Sequence, residues 1–161
     1  MRLLSGREYS RSELERKLKP HEESPGLLAK ALDELQAKGF ISAQRVLDSV
    51  IHRRSAKLGA ARIRQELRHK GLDPDAVKAA IRGLQATEFE RAQAIWRRKF
   101  GAAAAGADNG DNGDTAGTRA TLGAAERGKQ IRFLMARGFG TDTIRRVMAT
   151  GSGGQDSTLE D

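Results

Sequence analysis

The sequence predicts an all-α fold built as a tandem array of three three-helix units, the third of them truncated. Two observations support this prediction: apolar residues recur at helical spacing along the chain, and their pattern repeats at a fixed offset. An offset of 49 residues carries Leu14 to Ile63 and Leu18 to Leu67. A repeat of this length indicates one helical supersecondary unit that the chain uses more than once.

A third copy of the pattern follows at a larger offset. Leu67 pairs with Leu134, and Gly71 pairs with Gly138, at a separation of 67 residues. The two offsets differ by 18 residues, which is the length of an Ala-, Gly-, Asp- and Asn-rich stretch. The predicted organisation is therefore unit 1 at 1–51, unit 2 at 52–100, a low-complexity flexible linker at 101–118, truncated unit 3 at 119–149 and a disordered acidic tail at 150–161.

Capping residues predict where the helices of the first unit begin and end. Ser10 with Glu13 has the spacing of a capping box ahead of the first helix. The dipeptide Ser24-Pro25 predicts the N-cap and first residue of the second helix, which Gly39 ends. Ser42 then opens the third helix, so that the unit contains three helices.

The later units repeat this plan with different residues. In the second unit Gly59 opens a helix that Gly71 ends, and Asp73-Pro74 starts the next one. A third helix carries Ile95 and Trp96 at core spacing. The last unit keeps the pattern over two helices and then reaches a Gly-rich stretch at 151–154, where its third helix is expected to begin. The unit is therefore predicted to be truncated.

Composition narrows the classes of function. The chain has no cysteine, so that neither a disulfide framework nor a thiolate metal site is possible, and this fits a reducing cytosol. No segment approaches the roughly 20 apolar residues of a membrane span. The three histidines lack the spacing of a zinc site, and the three linker aspartates lack the glutamate that a calcium loop needs. We expect a cytoplasmic protein that is not an enzyme, with no catalytic residue, metal, cofactor, membrane contact or small-molecule substrate.

The positive charge of the chain is concentrated in the predicted helical units. The net charge is +8, and residues 1–100 hold 22 Lys/Arg against 13 Asp/Glu. Residues 119–149 hold seven Lys/Arg against two acids, whereas the linker and the tail are both acidic. This distribution favours a polyanionic partner, although solubility alone remains an alternative explanation.

The densest basic segment runs from Arg53 to Lys70, with seven Lys/Arg and one acid. If Ile63 and Leu67 face inward, Arg64 points outward. A second cluster ends the third helix of unit 2, where the helix dipole offers another explanation, and a third lies in the last unit. The candidate contacts for phosphate groups are Arg53, Arg54, Lys57, Arg62, Arg64, Arg68, Lys70, Arg97, Arg98, Arg132, Arg137, Arg145 and Arg146.

Two helices joined through a glycine turn also match a helix-turn-helix. The second helix of unit 2, however, exposes mainly Asp75, Lys78, Ala79 and Arg82, with no Asn or Gln to read adenine. Base-specific recognition is therefore not expected. A protein that binds DNA directly and largely without sequence preference remains the alternative function.

The sequence resembles the RecX family of regulatory proteins of bacterial recombination over nearly all of residues 3–149. The residues that carry the resemblance are Arg7-Glu8-Tyr9-Ser10-x-x-Glu13-Leu14, then Leu58-Gly59-x-x-Arg62-Ile63-x-x-Glu66-Leu67, then Arg132-Phe133-Leu134-x-x-Arg137-Gly138-Phe139.

The resemblance implies a function in DNA repair, recombination and the SOS response. A RecX-like protein is expected to be an elongated, curved and monomeric array that is not an enzyme. It is expected to bind the RecA filament on single-stranded DNA and to modulate, mostly by inhibition, its recombinase, ATPase and co-protease activities. The basic candidates of the three clusters would then contact the filament or the phosphates of its DNA.

Overall fold

The computed structural model describes residues 6–105 and 116–152, with side chains described for 6–101 and 123–150. All regular structure in these residues is helical, as the sequence predicts, and no strand occurs among them. A short 3-10 turn, Lys19–His21, follows the first helix. The α-helices are α1 Arg11–Leu18, α2 Leu27–Ala37, α3 Ala43–Arg54, α4 Ala60–His69, α5 Pro74–Ala86, α6 Glu88–Ala105, α7 Ala116–Ala136 and α8 Thr141–Ser152.

Side-chain caps start three of the helices at the predicted residues. The Ser10 hydroxyl accepts from the Glu13 N–H at 3.2 Å, and the Glu13 carboxylate accepts from the Ser10 N–H at 3.0 Å, which confirms the capping box of α1. Ser42 accepts from the Arg45 N–H at the start of α3. Asp73 accepts from the N–H of Ala76 at the start of α5. These bonds satisfy N–H groups that a first helical turn leaves without partners.

The predicted start of α2 is wrong by two residues. Ser24-Pro25 forms a turn instead of a cap, and the N-cap is Gly26, whose backbone is left-handed at φ 91°. The carboxylate of Glu22 accepts from the N–H groups of Gly26 and Leu28, at 2.9 and 3.2 Å. An acidic side chain upstream therefore caps this helix in place of the serine.

Three glycines in left-handed conformation end helices α2, α4 and α7. Gly39, Gly71 and Gly138 have φ of 74°, 67° and 79°. After Gly39, the Phe40 N–H donates back to the Leu35 carbonyl at 2.9 Å, and equivalent bonds close the other two turns. This is the Schellman arrangement, in which a residue without a Cβ avoids the steric cost of positive φ. The prediction that Gly39 and Gly71 stop their helices is confirmed.

The described residues form two compact bodies. The N-terminal body contains residues 6–55 and 63–83, and the C-terminal body contains 56–62, 84–105 and 116–152. The division falls inside α4 and α5, so that the first turn of α4 belongs to the C-terminal body.

The core of the C-terminal body joins α6, α7 and α8. Ala92, Ile95 and Trp96 of α6 pack with Leu134 of α7 and with α8, and all are at most 8% exposed. The indole N–H of Trp96 donates to the Gln130 side chain of α7 at 3.0 Å, which satisfies its polar atom. The 49-residue period shows which helices of successive units correspond. It does not show which helices pack together, and the shared core shows that α6, α7 and α8 do.

The N-terminal body buries the apolar positions that the repeat predicts. Ile63, Leu67 and Ile81 are at most 1% exposed, and Leu14 and Leu32 belong to a cluster that also contains Ile41. Burying side chains of this size contributes about 1.5–3 kcal/mol each.

Two predicted apolar positions are exposed. Phe40, which follows Gly39, is 47% exposed, although Leu72 and Phe139 at the equivalent places after Gly71 and Gly138 are buried, and Ile131 of α7 is 37% exposed.

Parts of the predicted linker and tail are helical. Helix α6 continues to Ala105 and α7 begins at Ala116, while residues 106–115 of the predicted linker lie outside the described residues. Helix α8 likewise extends to Ser152, and residues 153–161 of the predicted tail are outside the described residues. The unit boundaries given by the repeat remain predictions.

Candidate functional site

Two equivalent junctions fix the starts of α1 and α4. In the N-terminal body, the Ser10 hydroxyl donates to the Lys70 carbonyl, just before the Gly71 turn. In the C-terminal body, the Gly59 N–H donates to the Arg137 carbonyl at 2.8 Å, just before the Gly138 turn. Ser10 and Gly59 correspond at the offset of 49, and Lys70 and Arg137 correspond at the offset of 67. Each junction therefore places the start of a helix against a glycine turn.

Glu88 stabilises the second junction through hydrogen bonds. Its carboxylate is buried and accepts from the Ala60 N–H at 2.8 Å and from the Thr143 hydroxyl at 3.1 Å. The Ala61 N–H donates to the Gly138 carbonyl at 3.2 Å. Gly59 precedes α4 at the position that Ser10 holds before α1, and glycine has no side chain to accept from the N–H groups of the first turn. The Glu88 carboxylate and the Gly138 carbonyl accept from those N–H groups instead.

Lys70 differs from the other basic candidates because it is buried. Its ammonium lies 2.7 Å from the Glu13 carboxylate, and the two side chains are 8% and 15% exposed. Burial alone raises the pKa of Glu13, but hydrogen bonds from Lys70 and from the Ser10 N–H outweigh it and hold that pKa below its usual range. The pair joins α1 to the end of α4, so that Lys70 is a structural residue.

The outward face of α4 carries arginines as the sequence pattern predicts. Arg64 and Arg68 are one helical turn apart, and both lie outside the stripe formed by the buried Ile63 and Leu67. Arg68 is exposed and Arg64 is half-buried, and Arg62 is exposed at the start of the same helix. We call Arg64 and Arg68, both of the N-terminal body, the α4 arginine face.

The basic residues that precede α4 have mixed surroundings. Arg54 is paired with Glu66 of α4 at 2.9 Å, and Arg53 donates to the Ser49 carbonyl within its own helix. Lys57 is exposed in the loop before α4. An exposed ion pair of the Arg54 kind contributes at most about 1 kcal/mol, so that its arginine is available to an anionic partner at low cost.

Two arginines of the C-terminal body lie over aromatic rings. Arg137 lies 3.9 Å from the ring centre of Phe133, and Arg146 lies 4.4 Å from that of Phe89. A cation–π contact of this kind attracts the guanidinium to the ring face and leaves its N–H groups able to bind oxygen atoms. The edge-to-face contact of Phe133 with Phe100, at 5.2 Å, holds one of these rings in place.

The remaining candidates of the C-terminal body are exposed. Arg97 and Arg98 lie on α6 next to the buried Trp96, Arg132 lies on α7, and Arg145 pairs at 3.4 Å with Asp142, whose side chain is 87% exposed. By body, the candidates divide into Arg53, Arg54, Arg64, Arg68 and Lys70 in the N-terminal body, and Lys57, Arg62, Arg97, Arg98, Arg132, Arg137, Arg145 and Arg146 in the C-terminal body.

A basic cleft of the N-terminal body was not predicted from the sequence. It has a volume of about 450 Å³ and is lined by Arg7, Tyr9, Arg16 and Lys17 together with the ends of α1 and α4. The sequence feature that could have indicated this cleft is the segment around Tyr9, because its polar residues are not expected to be buried in a helical core. Helical spacing could not reveal it, because Arg7 and Tyr9 precede α1.

Two further classes of site are absent from the described ranges. Residues 6–105 and 116–152 contain no group of three or more His, Asp or Glu side chains arranged to hold a metal ion. None of the helices in these ranges has a stretch long and apolar enough to cross a membrane.

Comparison with known proteins identifies two of the helical modules. Residues 44–81 match the model of the RecX second three-helix domain, and residues 116–148 match that of the RecX third three-helix domain. The first match covers most of α3 together with α4 and the greater part of α5, and the second covers α7 and most of α8.

Relatives match over almost the whole chain. The regulatory protein RecX of Leptothrix cholodnii is 43% identical over 92% of this chain and 83% of its own length. That of Ralstonia nicotianae is 39% identical over 98% of this chain and 86% of its own length. The crystal structure of RecX from Lactobacillus salivarius has the same fold, with a TM-score of 0.68 over 92% of this chain and 89% of that one, at 17% identity. The chain therefore belongs to the RecX family of regulatory proteins.

Proposed function

We propose that this protein binds the RecA filament on single-stranded DNA and modulates, mostly by inhibition, its recombinase, ATPase and co-protease activities. The observation that carries the proposal is similarity to RecX regulatory proteins over nearly the whole chain. The protein acts by binding and has no catalytic role. Its expected location is the cytoplasm, and its expected state is a monomer.

The basic side chains give this proposal a physical mechanism. Arginine binds phosphate and carboxylate oxygens through two parallel N–H groups, and exposed arginines occur in both bodies. Each exposed contact is weak by itself. Several contacts made by one folded chain to a repetitive filament add through effective concentration, so that the complex is stable although its single contacts are not.

The α4 arginine face is the proposed centre of this interaction. It lies in the densest basic segment of the sequence, and its side chains point away from Ile63 and Leu67. Replacing Arg64 and Arg68 therefore removes charge without opening the core. Lys70, which is buried against Glu13, is not part of the proposed surface.

The direct test adds the protein to preformed RecA filaments on single-stranded DNA and follows ATP hydrolysis and strand exchange. We expect both activities to fall at near-stoichiometric protein. If neither changes, the proposed function is refuted.

A matched pair of variants locates the surface. The variant Arg64→Ala/Arg68→Ala removes two charges at i and i+4 on α4, and Lys78→Ala/Arg82→Ala removes two at the same spacing on α5. We expect the α4 variant to inhibit more weakly than the wild type and the α5 variant to inhibit normally. Equal weakening would mean that net charge, and not this face, decides binding.

A salt titration separates filament binding from the alternative of direct DNA binding. Affinity for naked single-stranded DNA falls linearly with the logarithm of salt concentration, with a slope of about 0.7 per phosphate contact. Binding to the filament should depend less steeply on salt, because protein contacts share the interaction. Identical slopes for naked DNA and filament would favour the direct DNA-binding function.

A further inference from the structure

The cleft of the N-terminal body combines four cations with two acids. Its basic lining residues are Arg7, Arg16, Lys17 and Lys70, and its acidic ones are Glu13 and Glu66. Its other two lining residues are a tyrosine and a histidine, so that every side chain around it is polar or charged.

Both acids of the cleft are already neutralised. Glu13 is paired with the buried Lys70 at 2.7 Å, and Glu66 is paired with Arg54, which lies outside the cleft lining, at 2.9 Å. Arg7 is also paired with Glu13, at 3.4 Å. Among the described residues, no ion pair within 4 Å involves Arg16 or Lys17. The cleft therefore keeps an excess of positive charge at its surface.

Three of these cations are held in place before any ligand arrives. The guanidinium of Arg7 lies 4.1 Å from the ring centre of Tyr9, and the ammonium of Lys17 lies 5.5 Å from the same centre. Arg16 donates to the His69 carbonyl at the end of α4, at 3.1 Å. Fixing long side chains in the free protein reduces the entropy that binding would otherwise cost.

The environment of Tyr9 is consistent with a positive field. The hydrogen bond from Arg7 is the main cause that lowers the pKa of its hydroxyl, and the charges of Arg7 and Lys17 lower it further. These cations therefore favour negative charge in the cleft, as they would favour a bound anion.

We propose that this cleft is a second anion site, which binds a phosphate group of a single-stranded nucleic acid through Arg7, Arg16 and Lys17. It is separate from the α4 arginine face, which the sequence pattern predicts. The proposal concerns DNA in the absence of RecA and does not depend on the proposed regulation of the filament.

Phosphate fits this cleft better than an acidic protein segment. Protein interfaces depend on apolar or aromatic anchors in dry pockets, and the only aromatic lining residue, Tyr9, already has cations near its ring. Phosphate needs clustered arginine and lysine without an apolar partner. Arg16 and Lys17, which have no ion pair among the described residues, supply that chemistry together with Arg7.

The test measures binding of a fluorescein-labelled oligothymidylate to the full chain by fluorescence anisotropy at several salt concentrations. The variant Arg7→Ala/Lys17→Ala is compared with Lys30→Ala/Lys38→Ala, which removes two exposed charges from the α2 region of the same body. We expect the salt slope of the cleft variant to fall by about 0.7 for each phosphate that it no longer binds, and that of the α2 variant to remain at the wild-type value. Circular dichroism melting confirms folding, and Lys17→Ala alone replaces the double variant if that variant unfolds.

Two outcomes would overturn this proposal. The first is equal affinity and slope for the cleft and α2 variants. The second is a cleft variant that loses binding to a labelled poly-glutamate peptide but keeps the oligothymidylate slope, which would identify a site for acidic protein segments. No RecA is present in this experiment, so neither outcome tests the proposed regulation of the filament. A negative result in the filament assay would likewise leave the oligothymidylate result unchanged.

Discussion

The amide nitrogen of Gly59 lies 2.8 Å from the carbonyl oxygen of Arg137. The repeat offsets make this contact equivalent to the one between Ser10 and Lys70. Ser10 makes its contact with a hydroxyl, whereas Gly59 uses its own N–H and brings its backbone close to the turn. A Cβ on Gly59 would lie 2.2 Å from the carbonyl oxygen of Gly138. The repeated sequence offsets are therefore preserved in a repeated packing contact as well as in the helices.

Replacement of Gly59 by alanine should destabilise the C-terminal body. The added methyl group would meet backbone atoms of Gly138 and Phe139, which cannot move as the end of a flexible side chain could. We expect a decrease of about 1–3 kcal/mol or more in the free energy of unfolding, measured by urea titration. Gly83→Ala is the control: it lies on α5 with no atom within 4 Å of the new Cβ, and should stabilise by up to about 1 kcal/mol. Equal stability of both variants would contradict the close contact.

Loss of the Glu88 carboxylate should also weaken the C-terminal body. Glu88→Ala leaves the Ala60 N–H and the Thr143 hydroxyl without their acceptor, at a cost of about 1–3 kcal/mol for an unsatisfied buried group. Glu90→Ala removes the same charge from an exposed position of α6 and should change stability by less than about 0.5 kcal/mol. Thermal unfolding of the two variants measures the difference. Similar melting temperatures would show that Glu88 does not support the junction.

The pair formed by Glu13 and Lys70 should make stability depend on pH. Because the pKa of Glu13 is lower in the folded state than in the unfolded state, its contribution is present above the unfolded pKa of about 4.3 and is lost as the pH falls through the folded value. We expect Glu13→Gln to be less stable than the wild type at neutral pH, and the difference to shrink in acid. Urea unfolding across pH, with the exposed Glu23→Gln as control, measures this. A difference that stays constant with pH would refute the linkage.

Truncation of Leu67 should act through folding and not through binding. Leu67 is fully buried, and Leu67→Ala should cost about 2–5 kcal/mol. Any decrease in RecA inhibition should then accompany a lower melting temperature, whereas Arg64→Ala/Arg68→Ala should weaken inhibition with the melting temperature nearly unchanged. The two measurements on both variants separate unfolding from a weakened binding surface. Weakened inhibition by Leu67→Ala at an unchanged melting temperature would contradict this assignment.

Much of the fold could be predicted because its signals are local. The capping box of Ser10 and the stop at Gly71 depend on neighbouring backbone, and the burial of Ile63 follows from helical spacing. The start of α2 could not be predicted in this way, because the Glu22 carboxylate replaces the serine as the cap. A period of 49 residues also does not show which three consecutive helices share a core. The period is the same whichever helix is taken as the first of a unit.

The candidate site was predictable to a smaller extent. The outward position of Arg68 on α4 follows from the apolar stripe opposite it. The burial of Lys70 does not, because its partner Glu13 lies 57 residues away in the sequence. The cleft around Tyr9 depends on the same kind of distant contact, between the start of the chain and the end of α4. Pairing between charges distant in sequence leaves no periodic signal.

The burial of Trp96 gives each body its own optical reporter. The chain contains one tryptophan and one tyrosine: Trp96 is packed between α6, α7 and α8, and Tyr9 lies beside α1 in the N-terminal body. Tryptophan emission therefore follows the unfolding of the C-terminal body, while the near-ultraviolet signal of Tyr9 in a Trp96→Phe background follows the N-terminal body. A substitution that destabilises one of the two bodies can thus be assigned to that body without labelling the protein.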